Sequence, residues 1–175
     1  MSVLRQKSIR PRRLRAAAIA FAGFGLGVLA TGFVAQAQDQ SAAKVEDAIV
    51  ARKTAMDTLS DHMDQIEQMI ATNKVNLDAA HQGADTISVL LMVFPHLFPP
   101  ASNQWKAGAD IDPVTGTYAS PDVWSKFADF YKRAADASKT AYDMSRADKP
   151  DDLKAKTAAL RSACNGCHAA YLKMQ

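Results

Sequence analysis

The sequence has little sulfur with which to staple itself. Its 175 residues hold two cysteines, both inside "RSACNGCHAAYLKMQ", Arg161 to Gln175. That excludes the multi-disulfide framework of small secreted domains. Strand signal is also missing. No stretch alternates apolar and polar residues in the manner of a half-buried strand, so no sheet is expected. Beyond residue 37 a basic excess is missing too. The net charge of +3 comes from residues 1–37, which carry six Lys or Arg and no acid, and in the remainder acids outnumber bases by 18 to 15. Such a balance offers no basic face to nucleic acid. The acids themselves lie scattered over polar faces, with no pair set for acid/base catalysis, so an enzyme is not expected.

What is present begins with an export signal. "RQKSIRPRRLR" is a positive start, "AAAIAFAGFGLGVLATGFVA" is uncharged and apolar, and "AQA" ends at Ala37 with small residues at signal-peptidase spacing. The expected cut after Ala37 leaves residues 38–175 as the mature domain, outside the cytoplasm and without a membrane span. An uncleaved anchor is the rival, since an apolar stretch of about twenty residues is long enough to cross a bilayer. The glycines and the A-x-A site favour cleavage.

The mature chain reads as helices. Val45, Ile49, Arg52, Met56, Leu59, Met63, Ile66 and Ile70 recur at spacings of three and four. "TNKVN" marks a turn, and Leu77, Ala80, Ala84, Ile87, Leu91 and Phe94 form a second stripe that Pro95 ends. A long link spans 95–121 and contains Trp105; links of that length commonly have a function, here shaping the entrance to a site. "ASPDVW" opens a third helix, with Ser120 as N-cap and a stripe through Trp124, Phe127, Tyr131, Ala134, Ser138 and Ala141. "ADKPDD" separates it from a fourth, on which Leu153, Leu160, Cys164, Cys167 and Tyr171 share a side. The expected fold is all-α, an antiparallel four-helix bundle.

Cys164, Cys167 and His168 make C-x-x-C-H, the pattern of covalent haem c attachment. In a helix Cys164 neighbours both Cys167 and His168. Two thiols therefore reach two vinyl groups along one porphyrin edge, while the imidazole meets the iron. A disulfide between the cysteines would close a trivial loop. A thioredoxin-like pair needs a βαβ context, and zinc needs a second ligand pair. On the first stripe Arg52 occupies a core position, which asks for an anion such as a haem propionate. Met56 lies one turn further along the same face, placed to reach over the porphyrin. Taken alone, a methionine there reads as core packing.

With "CNGCHAAYLK" at the end, "SPDVWSKFADF" opening the third helix and "ARKTAMDTL" in the first, the mature chain resembles cytochrome c′ and its low-spin relatives, the class II c-type cytochromes. The resemblance implies a four-helix bundle, frequently dimeric, with haem between the helices, Arg52 at a propionate and Met56 as the iron's sixth ligand opposite His168. It departs from the high-spin members after Tyr171, where Leu172 replaces the usual arginine or lysine. The leading expectation is a periplasmic single-electron carrier, monomer or homodimer, serving unnamed redox proteins. The alternatives are a five-coordinate haem that binds nitric oxide or carbon monoxide, and a thiol–disulfide oxidoreductase using Cys164 and Cys167.

Overall fold

The computed structural model describes the backbone of residues 30–173 and the side chains of residues 44–173. The expected export segment lies outside the residues so described in full. Five helices follow in order: α1 (Ala30–Ala71), α2 (Leu77–Val93), the single turn α3 (Asp122–Ser125), α4 (Phe127–Met144) and α5 (Pro150–Tyr171). No strand occurs among the described residues; one isolated antiparallel bridge joins Ala119 to Leu172. The four long helices form the expected bundle, in which α1 packs on α2 and α5, and α4 packs on α2 and α5.

Helix ends follow local chemistry. Asn73 takes φ 53°, Asn73 N–H donates to Ile70 O at 3.1 Å and Lys74 N–H to Met69 O at 3.0 Å. This is a Schellman ending with asparagine at the left-handed position. Asn76 then caps α2 by accepting from Ala79 N–H at 3.1 Å. Pro150 opens α5, and Asp151 and Asp152 in its first turn complement the helix dipole.

The bundle interior forms two clusters. The larger runs along the middle and far end, through Leu59, Ile66, Ile87, Met144, Leu153 and Leu160. Small residues bring α2 and α4 together there, and Ser138 Oγ donates to Ser88 O across them at 2.8 Å. The second cluster is aromatic and sits near the start of α4 and the end of α5: Phe94, Phe98, Val123, Phe130 and Tyr171. Met56 touches both clusters.

The first half of the third stripe expected from sequence is corrected. Lys126, at φ −119° and ψ 35°, breaks the helix, and α4 restarts at Phe127. Ala134, Ser138 and Ala141 are buried as expected, and the rest of the inward face is Val123, Phe130, Ala137 and Met144. Phe127 is 39% exposed and Tyr131 43%, so neither is core, whereas Trp124 is partly buried with its indole N–H on Phe98 O at 3.2 Å. Met92, near the end of α2, is 60% exposed.

Candidate functional site

The last helix presents its sulfur and imidazole to a cleft. A cavity of about 200 Å³ lies between α1, the long link and the end of α5; its walls include Met56, Phe94, Phe98, Phe130, Cys167 and His168. A second space of about 90 Å³ adjoins it, lined by Cys164, Cys167, His168, Met56, Met63 and Arg133 among others. Met56, Phe94, Phe130, Cys167 and His168 border both. Met56 on α1 and His168 on α5 thus border the same space. Met63 lines only the second.

Both cysteines are free and half-buried. Burial pushes both thiols up, while Arg161 beside Cys164 and Arg133 beside Cys167 oppose the rise. Desolvation lowers the His168 pKa, and the Arg161 charge adds to that. Both effects favour the neutral ring, the form whose lone pair a metal needs. Arg161 is itself held by Glu67, Nε to Oε1 at 2.7 Å and Nη2 to Oε2 at 2.8 Å, with Asp64 at 3.1 Å. This fork ties α5 to α1 one turn before the first cysteine.

Arg52 is buried, 4% exposed, as the sequence predicted. Its partners are not carboxylates. Nη1 donates to Ser102 Oγ at 2.8 Å, Nη2 donates to Ser102 O at 3.3 Å and to Thr117 Oγ1 at 2.6 Å, and the guanidinium lies over Phe98 at 4.7 Å. Burial pushes it down to about 10, which leaves it cationic at neutral pH. These bonds use three of its five N–H donors, and Arg52 is among the residues that line the first cavity. Sequence reasoning missed Ser102 and Thr117, which carry no motif.

The long link does line the entrance. Thr117, Tyr118 and Ala119 form a wall of the first cavity. Trp105 is not part of that wall, and its indole nitrogen is buried without a hydrogen-bond partner. The terminal turn of α5 is fastened to this link. Ser120 N–H donates to Tyr171 O and Lys173 N–H to Tyr118 O, both at 2.8 Å. The Tyr171 phenol donates to Asp129 Oδ2 on α4 at 2.6 Å, another contact that sequence reading did not supply. His62 and His96 lie off this cavity, and His81 bonds to Ala147 O at 2.9 Å.

The residues present fit a haem. An apolar slot carries two thiols on one wall, an imidazole beside them, a thioether on the opposite helix and an arginine with spare donors at one end. A helical bundle with such a slot at a C-x-x-C-H helix defines the bundle-type c-type cytochromes. The comparisons agree. The sequence profile of the cytochrome c′ family matches residues 47–172, and the chain belongs to that family. It is 33% identical over 97 residues to cytochrome c-556 of Agrobacterium tumefaciens (strain II Chrys), covering 54% of this chain and 70% of that protein. Its fold matches cytochrome c′ of Thermochromatium tepidum with a TM-score of 0.66 at 19% identity, over 74% of this chain and 97% of the other. It also matches oxidised cytochrome c556 of R. palustris with a TM-score of 0.61 at 22% identity, over 74% and 98%. The protein is accordingly a monohaem c-type cytochrome that carries electrons, and its cofactor is covalently attached haem c. No helix among the described residues is long and apolar enough to cross a membrane.

Proposed function

We propose that this cytochrome is a periplasmic single-electron carrier with six-coordinate iron. Cys164 and Cys167 hold the haem by thioethers, His168 is the proximal ligand, Met56 the sixth ligand, and Arg52 turns its spare donors to a propionate. Haem bound in this way supplies a one-electron ferric/ferrous couple, and a His/Met ligand set raises its reduction potential. The chain's contribution is to keep both ligands in place and to exclude water with Phe94, Phe98 and Phe130. Cleavage after Ala37 delivers the chain to the periplasm and starts the mature protein at Gln38.

The observation that carries this reading is that Met56 and His168, on different helices, border the same two cavities. A second reading, a gas-binding haem, is favoured by the space beside Met56. An oxidoreductase role is disfavoured, because burial raises both thiols where a reactive dithiol needs a lowered one. The test is the visible and electron-paramagnetic spectrum of the purified holoprotein and of Met56→Ala. Low-spin iron that becomes high-spin in the variant supports Met56 ligation. High-spin iron in the parent refutes it and moves the assignment to the gas-binding reading; an unchanged low-spin spectrum in the variant refutes it and assigns the sixth position to another residue.

A further inference from the structure

The two proposed iron ligands sit on α1 and α5, and one short segment of the link is bonded to both helices. Thr117 Oγ1 accepts from Arg52, which lies one turn before Met56. Two residues on, the backbone pairs with the end of α5: Ala119 bridges Leu172, Ser120 N–H donates to Tyr171 O, and Lys173 N–H donates to Tyr118 O. Tyr171 lies one turn after His168. Its phenol continues the chain of contacts to Asp129, whose Oδ2 also receives Arg133 Nε at 2.6 Å. Thr117, Ser120 and Tyr171 are all buried.

We infer that Thr117–Ser120 is a strap that sets the separation of α1 and α5 at the cleft, and so decides whether Met56 stays on the iron. Thr117 and Tyr171 act as positioning residues. The reasoning is mechanical. A thioether on a flexible side chain stays bound only while its helix is held at the right distance from the opposite ligand. Direct packing of α1 on α5 is modest beside that of α2 on α4, and the Arg161–Glu67 fork ties them one turn before Cys164 rather than at the iron. At the other end of the cleft the strap is the link between them. Its hold on α1 is reinforced by Lys53, whose ammonium donates to Pro113 O and to Val114 O. Thr117 Oγ1 also accepts from Ala119 N–H at 3.1 Å, so one hydroxyl shapes the strap and joins it to Arg52.

This inference rests on Met56 ligation, and the experiment separates the two. In holoprotein the measurements are the spin state well below the melting temperature and the rate at which the ferrous form takes up carbon monoxide, which reports departure of the methionine. Thr117→Val removes the strap hydroxyl that accepts from Arg52 and from Ala119 N–H, and Tyr171→Phe removes the bond that anchors the strapped end of α5 to Asp129 on α4; each raises the carbon monoxide rate roughly five- to tenfold, about the net worth of one hydrogen bond. Thr117→Ser, which keeps the hydroxyl, restores the parental rate. Rates within twofold of the parent in both Thr117→Val and Tyr171→Phe, with Met56→Ala high-spin, overturn the strap while leaving ligation intact. A lowered melting temperature without a rate change also overturns it, since that is ordinary destabilisation. An unchanged spectrum in Met56→Ala removes the ligand and the strap's role together.

Discussion

Tyr171 and Asp129 share a hydrogen bond of 2.6 Å that joins the end of α5 to α4. The same carboxylate oxygen receives Arg133 Nε, so a phenol, a carboxylate and a guanidinium meet three residues beyond His168. The Tyr171 ring also packs edge-on to Phe130 with centroids 5.2 Å apart. One tyrosine therefore fastens the end of α5 through its ring, its hydroxyl and its carbonyl.

This contact predicts an acid dependence. The Tyr171 hydrogen bond first, then Arg133, hold the Asp129 carboxyl below its ordinary value of 3.8. A carboxyl lowered in the folded state contributes stability in full above its unfolded pKa and loses it as pH falls through the folded value. Asp129→Asn should therefore melt below the parent at pH 7, with the gap closing as pH drops below 4. Thermal melts from pH 7 to 2 measure it, and a gap that stays constant across that range rules out the ionised carboxylate as the anchor.

Differences in burial predict a contrast between side chains on α2, α4 and α5. Leu160 is fully buried in the large cluster, so Leu160→Ala should cost about 2–5 kcal/mol. Met92→Ala and Phe127→Ala, at exposed positions, should each stay within about 0.5 kcal/mol. Urea unfolding of the three variants decides this. A large loss at Phe127 would restore the register first read from sequence.

Those positions show what the sequence could and could not reveal. The stripes of α1, α2 and α5 were legible because each is an unbroken helix whose apolar spacing reports its buried face. The α4 stripe was read correctly at Ala134, Ser138 and Ala141 but not at Phe127 and Tyr131, where Phe130 is the buried aromatic instead, and nothing in "DVWSKFADF" announces the break at Lys126. C-x-x-C-H and the core arginine were legible as local anomalies. The partners of Arg52 were not, because Ser102 and Thr117 lie 50 and 65 positions away and are ordinary hydroxyl residues. The Tyr171–Asp129 contact was hidden for the same reason, since sequence spacing carries no information on which surface aspartate an opposing helix will find.

The strap is shaped by a close approach at Gly116. A Cβ built there would meet Asp112 O at 2.5 Å and Ile111 Cγ2 at 2.6 Å. Asp112 in turn orders this turn by accepting from the amides of Val114 at 2.8 Å and Thr115 at 2.6 Å. Gly116→Ala should push the turn open at a cost of about 1–3 kcal/mol. Amide hydrogen exchange checks where the loss falls. Faster exchange confined to residues 111–120 is expected, whereas unchanged exchange there shows that the turn relaxes freely.

Arg52 supplies the sharpest test of what holds the link to α1. Its charge is buried with two hydroxyls, one carbonyl and two aromatic faces, Phe98 at 4.7 Å and Trp124 at 5.8 Å. Arg52→Lys keeps the charge but loses the planar fork that spans Ser102 and Thr117, and an ammonium desolvates at greater cost. A loss of about 2–3 kcal/mol is expected. Arg52→Met removes the charge together with its demand for partners, and similar replacements of buried ions by apolar side chains are often tolerated. The hydroxyls it deserts keep other bonds, Ser102 Oγ to Pro99 O at 2.8 Å and Ala119 N–H to Thr117 Oγ1 at 3.1 Å. For the contacts to the link, methionine should therefore destabilise less than lysine, whereas the proposed propionate favours lysine, which keeps the charge. Equilibrium unfolding of the two holoproteins shows which effect is larger. If lysine is the milder change, the charge of Arg52 outweighs the shape of its guanidinium, and its three hydrogen bonds hold the link less firmly than the propionate holds the cation.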